Sequence, residues 1–479
     1  MSRTTISPLV RGVSVVGFLL EAMGKASQVS YECQACGWVG LKWVGRCTGC
    51  GGWDTVEPVS RRLGLSAAPL AVASAQSIDQ VSAEAAAMQP TGVGELDRVL
   101  GGGLVPGSVT LVGGEPGVGK STLLLQVAAQ LANAGQKVLY VTGEETTRQV
   151  KLRAERIGAL APGLKLAASG ELEQVLALAD QEKPTLLVLD SIQTLSSPAV
   201  EGAPGGVAHV RAVTAQLVRQ AKAREMACLL VGHVTKDGTV AGPRTLEHLV
   251  DLVCLFEGES QGALRWLRAT KNRFGPSDEV GCFEMTAQGV VSVTDPSGLF
   301  VCDVGPPVTG SCLGVTMAGR RPVVVEVQAL VAPSAMANPR RTTSGVDQAR
   351  LTMILAVLGR RCGLSLSGQD VFASTVGGAR AAEPAFDLTL ALACASARFD
   401  LMVPPGTVCL GEVSLGGQIR PVSGLDRRLE EAARMGLTRA IVPRGGRTVR
   451  RPDGLQVQEV SQLAEALRLL QAAGLPAAA

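Results

Sequence analysis

Gly114-Glu115-Pro116-Gly117-Val118-Gly119-Lys120-Ser121, with Thr122 next in line, has the spacing G-x-x-x-x-G-K-S/T between an apolar run and a helical pattern. Glycines let the backbone turn tightly enough to aim its N–H groups at phosphate oxygens, and the helix start adds positive potential. In that geometry Lys120 reaches the β and γ phosphates of ATP, and Ser121 ligates Mg²⁺. Thr185-Leu-Leu-Val-Leu-Asp190 is an apolar strand ending in a carboxylate, the form of an acid that holds Mg²⁺, so Asp190 joins Ser121. Gly143-Glu144-Glu145 follows another apolar run, which places its carboxylates at the carboxyl end of a sheet beside the phosphates. One of the two is expected to polarise the attacking water, Glu145 ahead of Glu144; the alternative is that both cap the next helix.

A second constellation is Cys33-x2-Cys36, ten residues, then Cys47-x2-Cys50, with Gly37 and Gly51 beside the two pairs. Four soft thiolates on two tight knuckles suit tetrahedral Zn²⁺, and with every position filled by sulfur the ion is structural. A segment this small folds with its ion or not at all. Trp38, Lys42, Trp43, Arg46 and Trp53 lie in the same stretch and suit either a mini-core around the metal or stacking on nucleic-acid bases. The chain has twelve cysteines, and the other eight are scattered through apolar segments, which points to a reducing compartment, the cytoplasm, rather than to a disulfide framework.

The elements that must position these groups follow from the pattern. From Thr91 onward, short β-type runs (Ser108 to Val112, Lys137 to Thr142, Thr185 to Leu189, Ala227 to Val231) alternate with helical ones (Lys120 to Ala134, about Glu145 to Ile157, Val210 to Arg224). This alternation predicts an α/β fold with a mostly parallel sheet flanked by helices. Further strands are expected at Leu249 to Glu257, Ala263 to Lys271 and Val280 to Thr286, and a second αβ pattern runs from residue 300 to a helix at Ser461 to Ala473. The predicted organisation is a disordered extension over 1–30, a four-cysteine zinc finger over 31–55, a linker over 56–89, an ATPase domain over 90–295 and a C-terminal domain over 300–479. Val15 to Leu20 is too short to span a membrane, and no small-x-small cleavage site follows it closely, so neither a membrane partner nor a signal peptide is expected. With a net charge of +3 over 479 residues, any nucleic-acid site must be local.

Gly114 to Thr122, Gly143 to Glu145, Asp190-Ser-Ile-Gln-Thr194, Gly232-His-Val-Thr-Lys236 and Lys271-Asn-Arg-Phe-Gly275, behind a four-cysteine ribbon, resemble in order and spacing the bacterial RadA (Sms) family over residues 31 to 475. The resemblance implies a RecA-like P-loop ATPase that loads on single-stranded DNA, acts on branched recombination intermediates beside a RecA-type recombinase, drives branch migration, and assembles as a homo-oligomer, a hexameric ring. It implies that Lys271 and Arg273 act across a subunit interface on a neighbour's γ-phosphate, with Arg273 also a candidate DNA contact. Without the family, that run is a basic cluster at a strand end. Lys236 and Arg244, in a stretch after the strand that ends near His233, resemble the loop that faces DNA in RecA-like proteins, where cations make sequence-independent phosphate contacts.

The C-terminal segment resembles the proteolytic domain of Lon through Glu383-Pro-Ala-Phe-Asp-Leu388 and Gly411 to Val422, which implies a Lon-type α+β domain. A Lon-type peptidase needs a serine activated by a lysine, whereas the corresponding positions hold Ala385 and Asp426. The domain is therefore expected to be catalytically silent and to serve oligomerisation and DNA contact, with Arg320, Arg321, Arg340 and Arg341 as candidate phosphate ligands. Competing readings are an ATP-dependent Lon-like peptidase, a KaiC-like regulatory ATPase and a replicative-type helicase.

Overall fold

The computed structural model describes residues 30–40, 42–59, 77–80, 87–200, 202–233, 243–258, 263–301, 308–445, 450–473 and 475–476. The expectations for residues 1–29 and for Lys236 lie outside them. Two compact units emerge, Met1–Ser82 and Ala83–Ala479.

In the first unit, β1 (Ser30–Cys33) pairs antiparallel with both β2 (Val39–Gly40) and β3 (Val56–Val59). The pairing of β3 carries the ribbon to Val59, into the stretch that composition assigns to a linker. Gly37 and Gly51 donate backbone N–H bonds of 2.9 Å to Cys33 O and Cys47 O, closing the two knuckles, and their φ of 72° and 76° is what favours glycine there. Cys33 Sγ lies 3.7 Å from Cys50 Sγ and Cys36 Sγ 3.6 Å from Cys47 Sγ, with all four sulfurs within 4.8 Å of one another. Sulfurs placed tetrahedrally around Zn²⁺ stand about 3.8 Å apart, so the thiolates are already at ligand spacing. The tryptophans divide: Trp38 packs on Cys33, Cys47 and Val56, while Trp43 and Trp53 are 57% and 73% exposed.

The second unit opens with α1 (Gly94–Leu100), β4 (Val109–Gly114), α2 (Lys120–Asn133), β5 (Val138–Thr142), α3 (Thr147–Arg156), β6 (Leu164–Ala168), α4 (Leu172–Glu182), β7 (Leu186–Asp190), α5 (Val207–Ala223) and β8 (Ala227–His233). After α6 (Pro243–Leu246) come β9 (Leu252–Gly258), β10 (Leu264–Asn272), β11 (Val280–Thr286) and β12 (Gly289–Ser292). They form one nine-stranded sheet, ordered β12-β11-β10-β9-β4-β8-β7-β5-β6, parallel from β9 to β6 and antiparallel beyond. The central strands read as unbroken Val/Leu runs because both faces are covered. Val112, Val138 and Val188 pack with α1 and α2 on one side, and Leu111, Leu139 and Leu187 with α4 and α5 on the other.

The third helix starts at Thr147, later than the pattern suggests, because Thr146 accepts from Gln149 N while the Gln149 side chain accepts from Thr146 N, a capping box. The sequence reading missed β6, a half-exposed edge strand of five residues without a clean period, and also α1 and α4.

A seven-stranded sheet follows. β13 (Ser311–Ala318) and β14 (Arg321–Pro333) form its long hairpin, β15 (Arg341–Ser344), α7 (Gln348–Cys362), β16 (Gln369–Thr375) and α8 (Asp387–Phe399) come next, and the order is β15-β16-β14-β13-β18-β21-β22. Its remaining strands are β18 (Thr407–Cys409), β21 (Arg439–Pro443) and β22 (Gln456–Val460), with α9 (Leu425–Arg434) and α10 (Leu463–Ala473) as helices. The short pairs β17 (Leu401–Met402) with β23 (Leu475–Pro476), and β19 (Glu412–Val413) with β20 (Ile419–Arg420), complete it.

The two sheets share a boundary. Side chains alternate along β10, so Leu267 and Ala269 are buried in the first core while Leu264 and Trp266 pack against the second. Ser297 donates through its hydroxyl to Glu431 (2.5 Å), and Arg434 pairs with Asp295 (2.8 Å). Arg321 corrects an expectation: instead of facing DNA it is buried, ion-paired with the equally buried Glu95 of α1, and donates to Val293 O and Thr294 O. A guanidinium so enclosed is unavailable to phosphate. Arg341 likewise donates to the carbonyls of Arg340, Leu366 and Gln369.

Two outcomes follow. Arg321→Ala leaves the buried Glu95 with only the half-exposed Arg98, 3.6 Å away, as a cation and should cost about 3 kcal/mol, read as a lowered calorimetric midpoint; an unchanged midpoint would show the Glu95–Arg321 pair to be idle. Stripping metal with a strong chelator should release about one Zn²⁺ per chain and shift tryptophan emission, since Trp38, Trp43 and Trp53 are three of the four tryptophans. A metal-free chain with unaltered emission would contradict the coupling of ion and fold.

Candidate active site

Strands β4, β5, β7 and β8 end together, with Gly114 level with His233 and Thr142 level with Asp190. A carboxyl-end rim of this kind is where parallel sheets hold ligands. At Gly114 a Cβ would stand 2.4 Å from Phe256 O, and at Gly119, whose φ is 110°, it would stand 2.9 Å from Met285 Sδ. The P-loop can therefore curl against β9 and β11 only with glycine at both positions. Lys120, 4% exposed, donates to Gly114 O and Glu115 O at 2.9 Å. Burial pushes its pKa below the usual lysine value, against the opposing pull of Asp190 and Glu144.

Asp190 is nearly buried and accepts a 2.7 Å bond from the hydroxyl of Tyr140, one strand over. Burial, reinforced by the charge on Asp190, pushes the Tyr140 phenol well above its ordinary pKa, so it remains a donor. With Ser121 at the first turn of α2, the donor set is hard oxygen, which fits Mg²⁺.

The geometry separates the two glutamates. Gly143 lies where a Cβ would meet Thr194 Oγ1 at 2.0 Å, which lets β5 turn sharply towards the end of β7. Glu144 Oε1 then accepts from Ser191 Oγ at 2.6 Å and lies 3.2 Å from His233 Nε2. Glu145, the residue the sequence put first, is ion-paired with Arg153 of α3, and its own N–H donates to Thr142 Oγ1 at 2.9 Å. Its carboxylate is engaged as a brace for α3, whereas Glu144 sits among the strand-end groups whose charges reach Lys120.

Lys271 and Arg273 are not part of this cluster. Lys271 pairs with Val253 and Asn272 with Leu252, and Leu252 pairs with Thr110 at the start of β4, whereas the P-loop leaves the end of that strand at Gly114. Four residues of strand separate the two edges by about 13 Å. Lys271 donates to Glu247 O (2.5 Å) and Val250 O (2.8 Å), and Arg273, half exposed, pairs with Asp251 at 3.1 Å. Burial and the neighbouring Arg273 lower the Lys271 pKa. Of the remaining candidate phosphate ligands, Arg320 pairs with Glu279 at 3.3 Å while 40% exposed, Arg340 is exposed, and the Arg244 side chain lies outside the described residues.

In the C-terminal half of the chain Ala385 is buried in a short 3-10 turn before α8, and the Asp426 carboxylate of α9 accepts from Arg450 N at 3.0 Å. Two ion pairs flank Ala385: Glu383 with the fully buried Arg428 (2.7 Å), and Asp387 with Arg350. Against the cost of burial, Arg428 holds the Glu383 carboxyl below its usual range. Burial pushes the thiols of Cys228, Cys254 and Cys394 up to about 12, so these are inert apolar residues.

Sequence reasoning missed Tyr140, Arg153 and Ser191 and gave His233 no chemical role. Tyr140 sits in an apolar run and reads as core, and Ser191 and His233 acquire meaning only from strands that meet in the fold.

Residues 82–239 match the family described as AAA domain, and residues 31–58 match the one described as Rubredoxin metal binding domain. With the P-loop geometry, this establishes an ATPase that uses ATP and Mg²⁺ and carries a zinc ribbon. The chain is 48% identical over 459 residues to a DNA repair protein RadA of Mycolicibacterium smegmatis, covering 94% of this chain and 98% of the relative. It is 44% identical to the DNA repair protein RadA of Escherichia coli (93% and 99% covered) and 42% identical to that of Bacillus subtilis (91% and 97%). Identity of this degree along nearly the whole length of each relative, over a P-loop site and a four-thiolate ribbon, shows that the chain belongs to the DNA repair protein RadA family.

Proposed function

We propose that the chain is a DNA-dependent ATPase of recombinational repair. It translocates on single-stranded DNA as a hexameric ring beside a RecA-type recombinase and promotes branch migration in the cytoplasm. The observation that carries this reading is the placement of Lys271 and Arg273 at the sheet edge opposite their own P-loop, where cations can serve a nucleotide only if a second copy presents one. Hydrolysis completed between subunits is the arrangement a ring motor needs to pass steps from one subunit to the next.

Within a subunit, Lys120 and the P-loop N–H groups grip the phosphates, and Ser121 and Asp190 hold Mg²⁺, which neutralises charge on the transferring group. Tyr140 orients Asp190. Glu144 takes the role of polarising water, its carboxylate fixed by Ser191 and His233. His233 ends β8 and leads directly to Lys236 and Arg244, so a change at Glu144 reaches the segment proposed to touch DNA. Arg320 and Arg340 are two further candidate phosphate contacts, each worth roughly one released counterion. The C-terminal sheet acts as a scaffold: the Ala385 position has no nucleophile, and its flanking carboxylates are tied up in ion pairs, which disfavours the peptidase reading.

The test is ATP turnover by purified protein with and without single-stranded DNA across a salt series, expected to rise with DNA and to lose that rise as salt increases. A rate indifferent to DNA would end the motor reading. Glu144→Gln should lower kcat by at least about 100-fold while ATP still binds, and Glu145→Gln should fall well short of that loss; the reverse order would restore Glu145 as the base. Mixing Lys120→Ala protein with Arg273→Ala protein should recover turnover that neither has alone, since each mixed interface can unite an intact P-loop with an intact cation.

A further inference from the structure

A P-loop grips phosphates, so the nucleoside must lie in the space beside it. That space is a cleft of about 560 Å³, walled on one side by Gly114 to Val118 and on the other by Leu255 to Gly258 of β9 and by Arg265 of β10. Arg265 is the one cation among the described residues lining it. Glu115 and Glu257 are the carboxylates there, which makes the cleft outside the loop less hospitable to phosphate than the loop itself.

The position of Arg265 is set by its strand partner. Arg265 pairs with Gly258, and a Cβ on Gly258 would stand 2.2 Å from Arg265 Cδ, 2.7 Å from Nε and 2.9 Å from Nη1. The side chain therefore lies along the bare backbone of Gly258. Its Nη1 donates to Leu264 O at 2.8 Å, which holds the guanidinium against the backbone of β10. Alternation along β10 sends Leu264, Trp266 and Arg268 to the cavity between the two sheets, so Arg265 alone of this run lines the nucleotide cleft.

We propose that Arg265 caps the base of the bound nucleotide in its own subunit, its planar guanidinium stacking on the ring, with Gly258 providing the room for it to do so. A delocalised planar cation suits a π face in a way that an ammonium does not. The inference rests on the reading that the P-loop holds a triphosphate, and it adds the residue that distinguishes a nucleoside triphosphate from a bare one. The same strand carries Lys271 beside its end and leads directly into Arg273, so β10 links the base of its own nucleotide to the cations proposed to serve the neighbour's.

The test is calorimetric binding of ATP and of inorganic tripolyphosphate, each with Mg²⁺, to the full-length chain. Arg265→Ala should weaken ATP about tenfold and leave tripolyphosphate unchanged. Arg265→Lys should not restore ATP, and Gly258→Ala should reproduce the selective loss with the arginine still in place, which keeps the test decisive if Arg265→Ala fails to fold. Lys120→Ala should lose both ligands; if it kept both, the P-loop reading itself would fall. Parallel weakening of both ligands by Arg265→Ala would make the residue a phosphate contact and overturn the proposal, as would unchanged ATP affinity.

Discussion

The parallel pairing of β4, β5, β7 and β8 is the constraint on which the rest depends. Each strand is a short apolar run that gains stability only when both faces are covered, and the helices that cover them force the strands into one register. That register puts Gly114, Thr142, Asp190 and His233 at one rim. Because the polar residues follow directly on the buried runs, the hydrophobic effect that packs the strands also gathers the chemistry. Asp190, Tyr140, Ser191, Glu144 and His233 are then joined by hydrogen bonds across strand ends that lie far apart in the chain.

The antiparallel extension of the sheet serves a second purpose. Through β10 the ATPase core shares a strand with the C-terminal core, and the buried Glu95–Arg321 pair together with the Asp295–Arg434 pair joins the sheets at other points. A buried ion pair is weak evidence of net stability, but it does fix orientation, since a charge displaced from its partner pays the full cost of burial. The C-terminal sheet is thus held in one pose on the ATPase core. Its own pairs, Glu383–Arg428 and Asp387–Arg350, brace the loop around Ala385.

The ribbon answers the same problem of stability on a smaller scale. With Cys33, Cys47 and Val56 as its fully buried hydrophobic residues and Trp38 lying over them, it has too little apolar area to fold alone, and four sulfurs at ligand spacing supply the missing term. The exposure of Trp43 and Trp53 shows that the aromatic content is not spent on that core.

What the sequence determined by itself is local: the P-loop, whose function resides in a contiguous turn; the paired cysteines, whose spacing is the geometry of a knuckle; and the strand runs ending at Asp190 and His233. The boundaries of the strands and helices read from the pattern in the ATPase domain were legible to within a few residues, while α1, α4 and β6 were not read at all, β6 because its five half-exposed residues carry no period. The tertiary structure alone divided the two glutamates, because Arg153 captures Glu145 from a helix eight residues away while Ser191 and His233 hold Glu144 at the strand ends. It alone showed that Arg321 is interior, since a basic pair at positions 320 and 321 reads alike whether one of them faces solvent or an opposing carboxylate. It also placed Lys271 and Arg273 at the far edge, because whether a strand runs with or against its neighbour is settled by the pairing of β9 with β10. Charges and hydrogen bonds act through space, and only folding turns residues distant along the chain into neighbours.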